Sequence, residues 1–262
     1  ETILPLREPT TGRAAVLLQA DMDVDTDGSD GDRIPNPEGK GPFFQPMTSY
    51  SWPKQTDHPN PFLERSLEKL RAAREEVSKA KGLSKAQMQE LRNRVGAAQY
   101  EVNRLKTRSF LISETDPYIV LPGFMFRGKD PLYTPKLGDY AVVIYGDTIY
   151  PAILGDAGPS FKSGEASVRL TRQLNPKSTE FSRPVSQLKV TYLVFPNSAD
   201  KEPMPPDLNR WRERVAELLG EIGGYGGNLF VWETLAQPVP TPTPVPTPTP
   251  MPTPTPAALP TV

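Results

Sequence analysis

The sequence contains no cysteine and only one histidine among its 262 residues. The absence of cysteine excludes disulfide bonds, thiolate metal sites and a cysteine nucleophile. His58 alone is a poor basis for a metal site or a Ser-His-Asp triad, because both need further partners around the imidazole. No apolar run approaches the about 20 residues that a membrane-spanning helix needs. We therefore predict no metal centre, no cofactor and no membrane span.

An excess of one charge is also missing. The 30 Lys and Arg residues nearly balance the 31 Asp and Glu residues, for a formal net charge of −1. Proteins that bind nucleic acid generally present a basic surface to the phosphates, and the overall balance gives no sign of one. We predict that the chain has no nucleic-acid partner and that it is a monomer.

The last segment of the chain lacks the apolar residues that a core requires. From Gln237 onward Thr and Pro alternate almost without interruption. Proline donates no backbone hydrogen bond, so this pattern predicts an extended polyproline-II stalk. We divide the chain into a domain at residues 1–236 and a Thr-Pro-rich disordered stalk or linker at 237–262. A first residue of Glu suits a mature chain or simply the boundary of the sequence. Together with the stalk, it favours a secreted, extracellular protein.

Residues 62–108 have the apolar spacing of two helices. Apolar side chains share one face in each half, and the second half alternates spacings of three and four residues. A break at residues 81–82 separates the halves, and Ser84 with Gln87 fits a capping box. The short connection predicts an antiparallel helical hairpin. It is either an arm that binds a partner protein or, as we prefer, an insertion that folds on itself and on the domain.

The remainder of the domain is β in character. Runs rich in β-branched and aromatic residues alternate with Gly, Pro and Asp. They predict strands at 14–20, 118–121, 140–145, 148–154, 166–170 and 188–195. An apolar face over residues 209–222 predicts a late helix. We predict a mainly β (α+β) fold. Its centre is a small β-barrel with the inserted hairpin and a C-terminal helix. Gly-Asp turns at strand boundaries make the double-psi barrel the candidate topology.

Asp156 and Glu165 are the candidate catalytic residues. Asp156 ends a predicted strand, residues 157–160 turn the chain, and Glu165 begins the next strand. Two neighbouring strands joined by such a loop would bring both carboxylates to one end of the sheet. A carboxylic acid and a carboxylate so placed can cleave a glycosidic bond, the first protonating the leaving oxygen and the second activating water or attacking the sugar. An Asp in a turn is more often a cap, so the spacing alone leaves both interpretations open.

Two stretches of the chain resemble the fungal chitosanases, glycoside hydrolase family 75. One is the Gly-Asp-Ala-Gly-Pro run that contains Asp156, followed by Gly-Glu-Ala-Ser with Glu165. The other is the Asp-Met-Asp-Val-Asp-Thr-Asp-Gly string that begins at Asp21. The resemblance covers residues 14–32 and roughly 118–195. The chain departs from the fungal pattern in its lack of cysteine and in the hairpin between the two stretches.

The resemblance implies a substrate and a mechanism. Chitosan would be hydrolysed internally at its β-1,4 glucosamine linkages, with inversion and with Asp156 and Glu165 as the catalytic pair. Inversion implies Glu165 as the acid and Asp156 as the base, with about 6.5–9.5 Å between the carboxyl groups to admit water. The alternatives are a non-catalytic carbohydrate-binding domain and a calcium-stabilised surface domain carried on the Thr-Pro stalk.

The acidic string of residues 21–32 has three interpretations. Asp23, Asp25 and Asp27 match the first half of an EF-hand loop, but position twelve is Ile34 rather than Glu. A solvated, turn-forming loop is the second interpretation. The third, which we favour, is that Asp21, Asp23 and Asp25 bind the substrate, because carboxylates make charge-assisted hydrogen bonds with the ammonium groups of glucosamine.

Four aromatic residues are candidates to stack on sugar rings. They are Trp52, Tyr145, Tyr150 and Phe161. Packing within the core or within a loop is the preferred interpretation for any single one of them.

Overall fold

The computed structural model describes residues 1–33, 44–159 and 163–235. The stalk predicted at 237–262 and the aromatic candidate Phe161 lie outside the described residues. In chain order the strands are β1 (Thr2–Arg7), β2 (Ala14–Asp25), β3 (Ser51–Pro53), β4 (Arg108–Phe110), β5 (Tyr118–Pro122), β6 (Tyr140–Tyr145), β7 (Thr148–Gly158), β8 (Glu165–Ser167), β9 (Val185–Val194) and β10 (Asn228–Leu229). The α-helices are α1 (Leu63–Lys79), α2 (Lys85–Thr107), α3 (Val168–Leu174) and α4 (Leu208–Glu221).

Six of these strands close into a barrel. Their order is β2-β8-β5-β7-β6-β9, and β9 pairs again with β2 to complete the ring. Two neighbouring pairs, β2 with β8 and β5 with β7, are parallel, and the other four are antiparallel. Strand β1 extends the sheet beyond β2, and β10 pairs with the start of β7. The predicted β-barrel is confirmed, whereas its double-psi topology stays a prediction.

The barrel interior is filled by alternate residues of its strands. In β2 the side chains of Ala20 and Met22 are fully buried, while Asp21 between them and Asp23 after them stay partly exposed. Side chains alternate between the two faces of a strand. The three acids Asp21, Asp23 and Asp25 therefore share the outer face of β2. Helix α4 packs on the outside of β6 and β7 and buries Trp211, Val215, Leu218 and Leu219 there.

The predicted helical hairpin is present as α1 and α2. Ser84 is the N-cap of α2 and forms a complete capping box. The Ser84 side chain accepts from the backbone N–H of Gln87, and the Gln87 side chain accepts from the backbone N–H of Ser84. The two helices bury a small cluster centred on Leu70, Ala98 and Val102, which is separate from the barrel core. Strands β3 and β4 form a short ribbon at the base of the hairpin.

Three local expectations differ from the structure. The acidic string was expected to follow a strand that ends at Ala20, but β2 continues through Asp25. The continuation is possible because β2 pairs with β9 up to Met22 and with β8 from Asp23 onward. The predicted strand at 166–170 is only three residues long, since Ser167 caps α3 and its side chain accepts from the backbone of Leu170. Strands β7 and β8 are also not neighbours, because β5 lies between them and pairs with both.

None of the helices in the described ranges has both the length and the apolar character that a bilayer span requires.

Candidate active site

The two candidate carboxylates lie in one row across the barrel wall. Asp156 on β7 is in register with Val120 on β5, and Val120 is in register with Glu165 on β8. Residues in register on adjacent strands project from the same face. Asp156 and Glu165 therefore point from the same face of the sheet, with one strand between them. Two strand spacings place their Cα atoms about 9–10 Å apart.

Asp156 is buried, and one of its carboxylate oxygens is heavily hydrogen-bonded. Its Oδ1 accepts from the backbone N–H of Ala157 at 2.7 Å, from the backbone N–H of Ser49 at 3.0 Å, and from the Ser49 hydroxyl. Within the described part of the chain, no hydrogen bond reaches Oδ2. The carboxylate is thus held at one oxygen and open at the other.

The environment of Asp156 shifts its acidity in opposite directions. Burial raises the pKa of Asp156, the donors of Ser49 and Ala157 lower it, and the nearby charge of Glu165 raises it again. The net result is a pKa above the ordinary value of an aspartate. The hydrogen bonds to Oδ1 stabilise the ionised form of Asp156 and so oppose the effect of burial.

Two glycines shape the strand that carries Asp156. A Cβ on Gly155 would lie 2.5 Å from the side chain of Leu111 and 2.7 Å from that of Tyr118, so only glycine permits this close approach. At Gly158 a Cβ would lie 3.4 Å from Oε2 of Glu165 and narrow the space beside that carboxylate. The glycines of the motif are explained by packing and by access to Glu165.

Gly164 sets the position of Glu165. It has a φ of +76°, and a Cβ there would lie 2.1 Å from the carbonyl oxygen of Asp21. Its own carbonyl accepts from the N–H of Asp23 at 2.7 Å, which joins the start of β8 to β2. The Glu165 side chain is partly exposed and lines the cavity described below.

A third and a fourth carboxylate lie beside Asp156. One oxygen each from Asp25, Asp27 and Asp156 fall within 4.8 Å of one another. Burial raises the pKa of Asp25 well above its ordinary value, and the charges of Asp27, Asp156 and Glu165 raise it further. The backbone N–H of Asp27 donates to Oδ1 of Asp25 at 2.8 Å. Within the described residues, no Lys or Arg side chain forms an ion pair with Asp25. This group concentrates negative potential that a cationic ligand would neutralise.

The structure separates the acidic string into parts with different neighbours. Asp25 lines the cavity, whereas Asp21 and Asp23 form ion pairs with Arg183 at 2.8 and 2.9 Å. Asp23 thus lies on an extended strand beside an arginine, which differs from the loop geometry of an EF-hand. The predicted binding role of Asp21 and Asp23 stays a prediction.

The end of the acidic string supports the local fold. Asp30 and Asp116 share the buried side chain of Arg33, at 2.6 and 2.9 Å. Asp32 accepts from Lys54 at 3.0 Å and from the Ser109 hydroxyl at 2.8 Å. Because these carboxylates are already paired, they are structural.

A cavity of about 650 Å³ joins these groups. Its floor includes Asp25, Asp27, Asp156 and Glu165, and Pro159 lies at its edge. The helical hairpin supplies part of the wall through Tyr100 and Arg104 of α2. The volume suits an oligosaccharide segment, since ligand sites are commonly about 300–1,000 Å³.

Sequence reasoning missed four residues of this cavity. Asp27 was considered only for calcium, and nothing near Ser49 indicated a partner for Asp156. Tyr100 and Arg104 lie on the second predicted helix, where their spacing gives no sign of a cavity. In the structure Tyr100 is 59% exposed, which the sequence alone does not disclose. Trp52 and Tyr150 are instead buried, and Tyr145 does not line the cavity within the described chain.

Paired carboxylates that face an open cavity are the arrangement with which glycoside hydrolases cleave sugar linkages, so this is the class of protein that the site indicates. Comparison with known families makes the assignment specific. The family of fungal chitosanases, glycosyl hydrolase group 75, matches residues 22–230. The match spans most of the chain, which therefore belongs to the group 75 chitosanases. No curated protein matches the chain significantly. The enzyme is a chitosanase that hydrolyses glycosidic bonds, and its substrate is a polysaccharide.

Proposed function

We propose that the protein is an endo-acting chitosanase that cleaves β-1,4 glucosamine linkages with inversion, with Glu165 as the acid and Asp156 as the base. The observation that supports this most is the register of the two residues across β7, β5 and β8. A Cα separation of about 9–10 Å leaves room for the about 6.5–9.5 Å between carboxyl groups with which inverting enzymes admit a water molecule.

The bonding of Asp156 supports its role as the base. Three donors on Oδ1 favour a carboxylate, and the open Oδ2 can accept a proton from water. Burial raises the pKa of this carboxylate, which makes it a stronger base than an exposed aspartate. Glu165 faces the cavity beside Gly158, where it can donate a proton to the leaving oxygen.

The substrate preference follows from Asp25 and Asp27. Their carboxylates lie beside Asp156 and offer a site for the ammonium group of a glucosamine unit. Neutral chitin lacks this ammonium group and would make no charge-assisted hydrogen bond with these carboxylates. Asp21 and Asp23 continue the acidic face of β2 and are proposed to contact units farther along the chain. A large polymer is degraded outside the cell, so we also propose a secreted enzyme, active as a monomer.

The first experiment is incubation with chitosan, chitin and carboxymethyl cellulose. We expect the viscosity of chitosan to fall well before reducing ends accumulate, because internal cleavage shortens long chains early. Nuclear magnetic resonance of the first products should show the α anomer. A β product would exclude inversion, and binding of chitosan without hydrolysis would favour the non-catalytic alternative.

The second experiment replaces each proposed catalytic residue. Asp156→Asn and Glu165→Gln keep size but remove the ionisable group, so each should lower kcat by about 10²–10⁴-fold with little change in melting temperature. Asn197→Asp, an isosteric change on an exposed loop, is the control and should retain activity. Wild-type rates in either catalytic variant would show that the assignment is wrong.

A further inference from the structure

The part of the cavity beside the helical hairpin carries a positive charge. Arg104 lines it from α2 and donates to the Ser51 hydroxyl at 2.6 Å. Arg108 donates to the carbonyl oxygen of the same Ser51, also at 2.6 Å. No carboxylate pairs with Arg104 in residues 1–33, 44–159 or 163–235. The acidic cavity thus has the guanidinium of Arg104 in its lining, and Arg108 lies beside it on Ser51.

The positive charge of Arg104 acts on its neighbour Arg108. Burial lowers the pKa of Arg108, and the adjacent positive charge of Arg104 lowers it further. A sugar ammonium group placed close to Arg104 would likewise be repelled by its charge.

An aromatic ring completes this end of the cavity. The guanidinium of Arg104 lies 5.9 Å from the ring centre of Tyr100 and 5.6 Å from that of Phe110. All three residues line the cavity. Tyr100 is more than half exposed, so much of its ring is available to a ligand. The apolar face of a sugar ring packs favourably on such a surface.

The chain limits how far Arg104 lies from the proposed base. Ser49 contacts Asp156 and Ser51 contacts Arg104, with only Tyr50 between the two serines. The Cα atoms of Ser49 and Ser51 are at most about 7 Å apart. Arg104, with Tyr100 one turn earlier in α2, can therefore contact a sugar unit that neighbours the one that is cleaved.

We propose that Tyr100 and Arg104 form a sugar subsite that accepts an uncharged, N-acetylated unit in preference to a glucosamine unit. Tyr100 is the stacking surface, and the charge of Arg104 disfavours an ammonium group. This inference rests on the proposed function and refines it: the acidic floor selects a cationic unit, and the hairpin end selects a neutral one. The preferred substrate is then partly acetylated chitosan.

The test measures binding separately from turnover. In Glu165→Gln protein, calorimetry compares fully deacetylated glucosamine oligomers with oligomers of equal length that carry one N-acetyl group at defined positions. We expect one acetylated isomer to bind at least about threefold more tightly than the deacetylated oligomer. Equal affinity for all isomers would overturn the proposal.

Four variants and one control assign the effect. Tyr100→Ala should weaken both ligands by roughly three- to tenfold, while Tyr100→Phe retains binding. Arg104→Met removes the charge but keeps an apolar stem, so the preference for acetylation should disappear. Ser51→Ala removes the hydrogen bond to Arg104 but leaves its charge, and it should keep the preference. Tyr225→Ala, at an exposed tyrosine outside the cavity lining, is the matched control and should bind as the parent does.

The outcomes separate this inference from the proposed function. Chitosan hydrolysis with an unchanged KM in Tyr100→Ala would overturn the subsite and leave the chitosanase mechanism standing. Absence of hydrolysis together with the expected binding pattern would overturn the mechanism and leave the subsite standing. In Tyr100→Ala we expect KM to rise and kcat to change little, because stacking on a neighbouring unit contributes to ground state and transition state alike.

Discussion

The carboxylate of Asp156 has two oxygens in different environments. Three donors hold Oδ1, and two of them belong to Ser49, a residue far away in sequence. This arrangement fixes the orientation of the group and leaves Oδ2 to the cavity. We therefore propose Ser49 as a positioning residue, whose effect on catalysis would pass through Asp156.

Replacing Ser49 should change the pH dependence of the reaction. The Ser49 hydroxyl lowers the pKa of Asp156, so Ser49→Ala raises it. Since the role proposed for Asp156 is that of an ionised base, the loss of activity on the acidic side should begin at a higher pH. The pH profile of kcat/KM checks this. Ser78→Ala, on an exposed helix face, should leave the profile unchanged, and an unshifted profile in Ser49→Ala would contradict the positioning role.

Asp25 should contribute to binding at the expense of stability. Its pKa is raised in the folded protein by burial and by neighbouring acids. The folded state therefore holds a proton that the unfolded state releases above about pH 4, and stability falls as the pH rises beyond that value. Asp25→Asn removes this effect.

We expect Asp25→Asn to melt a few degrees higher than the parent at pH 7, with a smaller difference at pH 4. Its affinity for chitosan should fall, and that loss should shrink in high salt, which screens the attraction in the parent. Calcium that stabilises the parent but not the variant would instead identify the acidic cluster as a metal site. Thermal melting with and without chelator separates the two.

At the scale of elements, the position of Glu165 depends on a three-residue strand. Strand β8 lies between β2 and β5. Gly164, the residue immediately before β8, has a left-handed backbone conformation. A side chain at Gly164 would clash with the backbone of β2. The placement of the proposed acid is therefore controlled by the residue before it.

Gly164→Ala should destabilise the protein by about 2–4 kcal/mol and reduce activity, since β8 must shift to relieve the clash. Gly96→Ala is the matched control, because Gly96 lies within α2 and a Cβ there meets nothing within 4 Å. That change should stabilise the protein by about 0.5–1 kcal/mol. Denaturant unfolding measures both, and similar free energies for the two variants would contradict the role given to Gly164.

The sequence predicts which helices and strands form better than it predicts which strands pair with one another. The hairpin was predictable because its apolar spacing and capping box are local signals. The pairing of β5 with both β7 and β8 was not, because it joins residues 118–122 to two distant segments. Asp156 and Glu165 could be proposed because they lie close together in one motif. Ser49 and Tyr100 are distant from that motif in the sequence, so their place at the cavity required the three-dimensional structure.

At the scale of the whole molecule, two apolar cores coexist. The barrel buries a large cluster, and the hairpin buries its own small one around Leu70, Ala98 and Val102. A unit with few buried apolar contacts opens at a lower free energy than the global transition. The hairpin wall of the cavity should therefore open while the barrel stays folded.

Native-state hydrogen exchange tests this. Amides of α1 and the first half of α2 should exchange through local opening, well before those of β2 and β6. An N-acetylated oligomer bound to Glu165→Gln protein should slow exchange in α2, because its contact with Tyr100 restrains the helix. Equal protection of hairpin and barrel in the free protein would show that the two cores unfold together.

The strand between the two proposed catalytic residues has an evolutionary consequence. Asp156 and Glu165 are separated by backbone pairing through β5, so two strand spacings of about 4.8 Å each hold their Cα atoms apart. Point mutations leave this backbone separation unchanged. An exchange of Asp for Glu, or of Glu for Asp, alters the reach of a carboxyl group by one methylene. The order of the sheet thus sets the backbone separation from which a descendant of this pair would start.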